Sequence, residues 1–228
     1  MSILYVVATP IGNLSDISQR ALDTLKLVDY ILCEDTRVSQ KMLTRFGIKK
    51  PLISYHQHSK ISKINEILEM IKSGKNLALI SDAGTPGISD PGGKLVEEVI
   101  KLLNSQVGIV PIPGPSALTV IASVCGFPMD RFLFLGFPPA KKKRKQFFEE
   151  AVNSKYPVIF YESPYRILKT LGEIKVVLQQ VQGDNLSVVV GRELTKKFET
   201  IYRGNIDEVI ENIKNTSQKG EFVVVINR

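Results

Sequence analysis

Two cysteines, two histidines and no apolar run near the ~20 residues of a membrane span remove several function classes at once. Cys33 and Cys125 are far apart and each sits in an apolar pattern, so they read as buried, reduced thiols of a cytoplasmic protein. The chain runs from Met1-Ser2 straight into a strand, without the basic flank and small-residue cleavage site of an export signal. No Gly-x-x-x-x-Gly-Lys-Ser/Thr run occurs, which excludes a nucleoside-triphosphate P-loop. After the first strand the sequence reads Ala8-Thr9-Pro10-Ile11-Gly12-Asn13-Leu14 and not the dinucleotide fingerprint. There is no Gly-x-Ser-x-Gly elbow and no Cys/His set at closed zinc spacing, so metal-independent chemistry is expected.

What is present is ordinary for a globular protein: 228 residues, 43% hydrophobic and 23% charged. The net charge of +7 permits a polyanionic partner. Lys141, Lys142, Lys143, Arg144 and Lys145 form an unbroken basic run, with smaller groups at Lys49-Lys50 and Lys196-Lys197. A solvated helix start or loop is the plainer reading of such a run, and attraction to a polyanion the functional one.

Strand and helix patterns alternate throughout. In the first half, strands are expected at 3–8, 30–34, 52–54, 77–81 and 108–112. Helices fall between them at 18–27, 37–46, 62–73 and 93–104, so a mainly parallel sheet follows. Pro111, Pro113 and Pro115 then read as a rigid connection, with Pro115-Ser116 opening a helix to Val124. In the second half, strands are expected at 131–135, 158–162, 186–192, 198–203 and 221–226, and helices at 142–153, 164–180 and 206–215. The short interval between Arg192 and Phe198 requires an antiparallel hairpin, so this sheet is mixed. Ser163-Pro164 reads as a helix start, a capping hydroxyl followed by proline. The expectation is two α/β domains, 1–114 with a glycine-rich loop and 115–228 with a mixed sheet, and a ligand in the cleft between them.

The most informative stretch is the loop after the strand at 77–81. Gly84, Gly87, Gly92 and Gly93 admit close backbone approach, and Pro86 and Pro91 stiffen the path. The loop has two acids, Asp82 and Asp90, and no base before Lys94, the reverse of a phosphate cradle. It suits a neutral or cationic small molecule at the carboxyl edge of an open sheet.

Other charged groups lie at strand ends. Cys33-Glu34-Asp35-Thr36-Arg37 enters a helix; Asp35 or Thr36 is either a simple N-cap or, with Glu34 and Arg37, part of a site. Phe160-Tyr161-Glu162-Ser163-Pro164-Tyr165-Arg166 and Gly191-Arg192-Glu193-Leu194-Thr195-Lys196-Lys197 are either solubilising rims or a second wall of the site. His56 and His58 begin a metal site, line the rim of a cleft, or mark a plain surface loop.

The ordered motifs Thr9-Pro10-Ile11-Gly12-Asn13-Leu14, Cys33-Glu34-Asp35-Thr36-Arg37, Tyr55-His56-Gln57-His58, the loop 81–92, Pro113-Gly114-Pro115-Ser116-Ala117, Tyr161-Glu162-Ser163-Pro164 and Arg192-Glu193-Leu194-Thr195-Lys196 resemble the tetrapyrrole-methylase superfamily, on its ribosomal-RNA ribose-methylating branch. The resemblance spans the chain. It implies S-adenosylmethionine folded between two α/β domains of a homodimer. The implied activity is transfer of its methyl to the ribose 2′-hydroxyl of a cytidine in the decoding region of 16S ribosomal RNA in the small subunit. Carried over by position, cofactor contacts fall on Pro10, Ala83, Gly84, Thr85, Pro86, Gly87, Ile88, Ser89, Pro113, Gly114, Ser116, Ala117, Tyr161, Glu162 and Leu194. Tetrapyrrole-methylating members have Gly-Asp-Pro where this chain has Gly84-Thr85-Pro86, a departure that favours the RNA branch.

A ribose hydroxyl must lose its proton during methyl transfer, and Asp35, Glu193 and Glu34 are the candidate acceptors. Arg37, Arg192 and Lys196 are candidates for phosphates beside the target nucleotide, with Lys141, Lys142, Lys143, Arg144 and Lys145 for general attraction. A porphyrinoid methylase of the same fold and a non-catalytic RNA-binding module are the competing readings.

Overall fold

A computed structural model describes residues 1–228 except 57, 58, 60, 104, 105 and 181–185. The chain divides into two compact units, Met1–Ser116 and Ala117–Arg228.

In the first unit, β1 (Ser2–Val7), β2 (Tyr30–Cys33), β3 (Leu52–Ser54), β4 (Leu77–Leu79) and β5 (Val107–Ile112) form one sheet in the order β3-β2-β4-β1-β5. Every pairing is parallel, as the intervening helices α1 (Gln19–Leu27), α2 (Thr36–Arg45), α3 (Ile61–Lys72) and α4 (Gly92–Leu103) require. Strand alternation sorts the core into two layers. Leu32, Leu77 and Leu79 face Ile67, Leu95 and Val99 of α3 and α4. Ile31, Cys33 and Ala78 face Leu25 and Leu43 of α1 and α2. Both faces are therefore covered, and the carboxyl edge of the strands is left to the loops.

Pro111, expected both at the end of the strand at 108–112 and at the start of the proline connection, lies in β5, paired with Val6. The edge position explains this. Ile112 turns its carbonyl to the Ala8 N–H, 3.1 Å away, so the nitrogen of Pro111, one residue earlier, faces away from β1.

The second unit carries α5 (Ala117–Val124), α6 (Arg144–Val152), α7 (Ile167–Gln180) and α8 (Ile206–Asn215) around a mixed sheet, β6-β7-β10-β8-β9. Here β6 is Leu133–Phe134, β7 Val158–Glu162, β8 Ser187–Arg192, β9 Thr200–Asn205 and β10 Phe222–Asn227. The expected β8–β9 hairpin is antiparallel, with Val190 opposite Tyr202. Val158, Phe160, Val188, Val190, Val224 and Ile226 bury one sheet face under α6, α7 and α8. Asn205 caps α8 in a complete capping box with Glu208.

The largest difference from an expected helix start is at α7. Residues 164–166 form a turn, and α7 begins at Ile167. The Ser163 carbonyl accepts the N–H groups of Arg166 and Ile167, and its hydroxyl accepts Arg166 Nε at 3.3 Å, so the proline opens a turn before the helix.

Candidate active site

In the first unit the segments leaving β1, β4 and β5 are stitched together at the carboxyl edge. Thr9 and Gly84 exchange backbone hydrogen bonds, 2.8 Å from Thr9 N and 3.1 Å from Gly84 N. The buried Thr9 hydroxyl also reaches the Ser81 carbonyl at 3.2 Å. Thr85 donates its hydroxyl to the Pro115 carbonyl at 3.1 Å, joining the glycine loop to the turn after β5. This gives a physical reason for threonine at that position: an ionised aspartate has no proton to donate and would face the carbonyl with like charge. Gly114 passes so close to β1 that an added Cβ would stand 3.0 Å from Ala8 Cβ.

The expected cofactor positions divide by exposure. Pro10, Gly84, Pro86 and Ser116 are buried, whereas Ala83, Gly87, Ser89, Pro113 and Gly114 are exposed. Thr85, Ile88 and Ala117 are half-buried. Gly84 has φ +84°, and Ser89 accepts φ 60° without being glycine. Asp90 holds this shape. One of its carboxylate oxygens accepts the N–H of Gly87 at 2.8 Å and of Gly92 at 2.7 Å. A Cβ on Gly92 would lie 2.9 Å from that oxygen. Asp90 is thus a positioning residue that the sequence reading left unassigned; its signal was Asp-Pro-Gly, whose carboxylate bonds the backbone two residues on.

The candidate acids at the end of β2 are unequal. Asp35 caps α2, accepting Arg37 N at 2.8 Å, and forms a two-pronged pair with the Arg37 guanidinium at 3.0 and 2.7 Å. Those bonds, the side-chain one first, hold the Asp35 carboxyl down at about 2. Glu34 moves the other way. Burial first, then the charges of Asp82 and Asp90, raise it above the ordinary carboxylate value. Asp82 also accepts the Asp35 N–H at 3.2 Å. A carboxylate with a raised pKa is the stronger base, and here that is Glu34.

In the second unit several charged candidates are already committed. Glu162 is fully buried; it accepts Ser163 N at 2.7 Å and the Thr170 hydroxyl, and pairs with Arg166 at 2.8 Å. Arg144 is buried too, bonded to Glu173 at 2.6 Å and the Pro139 carbonyl at 3.0 Å, and 3.7 Å from Glu162. Arg144 is therefore corrected from the RNA set: its guanidinium neutralises a buried carboxylate, while Lys141, Lys142, Lys143 and Lys145 are exposed. Glu162 has no free carboxylate oxygen to offer a ligand.

Glu193 sits at φ 51° and is locked to the start of β10, accepting Lys196 Nζ and Glu221 N, each at 2.9 Å. Burial pushes its carboxyl up, but those donors and the nearby cations outweigh it and leave it below the ordinary value. Lys196 also bridges to Glu221 at 2.9 Å, and Arg192 holds the carbonyls of Lys219 and Phe198 at 2.7 and 3.2 Å. These three residues hold the hairpin end in shape. Leu194 is buried beside Gly191, where a Cβ would come within 2.9 Å of it. The Tyr161 ring packs on Phe134 and Phe137 at 5.0 and 5.3 Å.

Cys33 and Cys125 are buried and unbridged, and burial raises the Cys33 thiol. Among the described residues no His, Cys, Asp and Glu cluster could hold a metal ion, and His58 lies outside them. No helix among the described residues is long and apolar enough to cross a membrane.

The sequence profile of the Tetrapyrrole (Corrin/Porphyrin) Methylases matches residues 3–210. A protein of Thermotoga maritima named ribosomal RNA small subunit methyltransferase I is 42% identical over 227 residues, covering 100% of this chain and 99% of that one. A Mycoplasmopsis pulmonis protein of the same name is 45% identical over 225 residues, covering 99% and 97%. Among solved structures, the methyltransferase CobJ superposes with a TM-score of 0.69 at 16% identity, over 99% of this chain and 94% of that one; this likeness concerns the fold. With a profile match over most of its length and relatives aligned from end to end, the chain belongs to the tetrapyrrole (corrin/porphyrin) methylase family.

Proposed function

We propose that this protein is an S-adenosylmethionine-dependent methyltransferase that methylates the ribose 2′-hydroxyl of a cytidine in 16S ribosomal RNA of the small subunit. The observation that carries the reading is the pairing of full-length relatives named for small-subunit ribosomal RNA with a methylase-family loop that is rich in glycine, acidic and free of bases. The loop fits that cofactor. Its exposed backbone at Ala83, Gly87, Pro113 and Gly114 can meet a nucleoside and amino-acid tail, and Glu34 and Asp82 present negative charge to a cation.

Bound there, S-adenosylmethionine supplies an electrophilic methyl group on a sulfonium. The residues of this chain do the rest. The stitched loops fix the reactants in place, which supplies much of the rate in an in-line displacement. Glu34 would take the hydroxyl proton as the ribose oxygen bonds to the methyl carbon and the carbon–sulfur bond breaks, the neutral thioether being the leaving group. Asp35 keeps α2 and Arg37 in place, and Glu193 keeps the β8–β9 connection in place, so both support the reaction without accepting its proton. Arg37, Arg192 and Lys196 remain candidates beside the target phosphates, and Lys141, Lys142, Lys143 and Lys145 for longer-range attraction.

The proposal includes work in the cytoplasm, where small subunits mature, and a homodimer, which sedimentation of the purified protein tests. The activity is tested with tritium-labelled S-adenosylmethionine and small ribosomal subunits from cells lacking this protein. Label in the RNA supports the reading; label in an added porphyrinoid and none in RNA overturns it.

A further inference from the structure

The basic excess is not spread over the chain. Between residues 36 and 65 there is no aspartate or glutamate, and seven lysines and arginines; removing that stretch leaves 23 bases and 23 acids. The whole net charge of +7 therefore resides in one segment, and five of its bases lie on α2 and the connection to β3: Arg37, Lys41, Arg45, Lys49 and Lys50.

Several other helices tie a lysine to a nearby glutamate. Lys63 pairs with Glu66, Lys72 with Glu69, Lys101 with Glu97, Lys145 with Glu149 and Lys214 with Glu211. On α2 only Arg37 has such a pair, with its capping Asp35; among the described residues Lys41, Arg45, Lys49 and Lys50 have no ion-pair partner. Arg37, Lys41 and Arg45 recur every four residues, so they form one outward stripe with a cation about every 6 Å along the axis. Gln40 and Thr44 lie between them, and the five line a shallow hollow of ≈ 460 Å³. The buried side of the helix is Ser39 and Leu43. Because α2 starts directly after Glu34 and Asp35, the stripe begins at the carboxyl edge of the sheet and runs back from it.

Resting on the RNA reading above, we propose that this face of α2, continued through Lys49, is the phosphate-tracking surface that holds the RNA strand leading to the active site. Evenly spaced cations without interleaved acids, free of ion pairs at Lys41, Arg45 and Lys49, suit a repeating anion, and neutralised phosphates release counterions. The run at 141–145 is less suited than it looks in sequence, since Arg144 is buried and Lys145 has Glu149 at 3.6 Å.

The test compares wild type with K41A/R45A/K49A, the charge-keeping K41R/R45K/K49R, and the α8 control K214A. Anisotropy with a labelled single-stranded RNA is read over a salt series, alongside KM and kcat on small subunits. Calorimetry with S-adenosylmethionine checks the fold and the cofactor site. The alanine variant should bind RNA at least about 10-fold more weakly and lose about 2 from its logarithmic salt slope. KM should rise by a similar factor with kcat and cofactor affinity near wild type, and the charge-keeping variant should match wild type. Unchanged RNA affinity and slope in the alanine variant overturn the proposal, as does equal loss in the charge-keeping one. Wild type that binds RNA through this stripe but transfers no methyl group to it overturns the functional reading while leaving the stripe standing.

Discussion

Asp35 and Arg37, two residues apart, satisfy each other through a backbone cap and a two-pronged ion pair. The pair removes the most obvious acid of the site from proton transfer, because a carboxylate held at about 2 is a weak base. Glu34, its neighbour in sequence, is the acceptor we propose.

Glu34→Gln should therefore lower kcat by about 10²-fold or more while leaving cofactor affinity near wild type. Asp35→Asn and Glu193→Gln should each retain a much larger share of the rate. Single-turnover methylation of small subunits separates the three, and comparable losses in all of them would remove Glu34 from its role. The single-turnover rate should also rise with pH through a Glu34 pKa that lies above the ordinary glutamate value, an arm absent from the glutamine variant.

Stability should follow the same shifts with opposite signs. Asp35 is depressed in the folded protein, so its stabilising contribution is present above the unfolded value near 4 and is lost as pH falls toward about 2. Glu34 is raised, so its ionised form opposes folding at neutral pH, and Glu34→Gln should melt slightly higher than wild type at pH 7. Melting curves at pH 3, 5 and 7 check both directions.

Gly84→Ala should weaken S-adenosylmethionine binding at least 10-fold and cost about 1–2 kcal/mol of stability, since φ +84° is unfavourable for alanine. The new methyl would also press on Ile11 at 3.3 Å. Thr85→Asp should weaken binding too, by setting a carboxylate against the Pro115 carbonyl, whereas Thr85→Ser keeps the donor and stays near wild type. Calorimetry and chemical unfolding measure these effects.

Arg144→Met should destabilise the fold by about 3–5 kcal/mol, because Glu162 would keep its buried charge with one cation fewer. Lys142→Ala should leave unfolding unchanged within error. Urea denaturation distinguishes a basic run from a run with one structural member.

Much of the architecture was legible because alternation and turn chemistry agree in this chain. The apolar triplet Leu77–Leu79 with glycine and proline beyond it could only be a buried strand feeding a loop. The short link after Arg192 forced a hairpin. Pro111 fell in both an expected strand and an expected connection, because sequence does not say which strand is an edge. At the site, residue types were visible but their commitments were not. Arg144 looks like its lysine neighbours until Glu162 and Glu173 are found beside it, 18 and 29 residues away. Glu193 looks like a free acid until Glu221 folds back onto it. Long-range partners decide whether a charge is a tool or a brace, and spacing along the chain does not carry them.

The most direct measurement is alkaline hydrolysis of 16S RNA from cells with and without this protein, since a methylated 2′-oxygen cannot attack its phosphate and leaves an uncleaved dinucleotide. The expected result is one alkali-resistant step after a cytidine in the decoding region, present with the protein and absent without it. An identical cleavage ladder in both cell types would contradict the assignment.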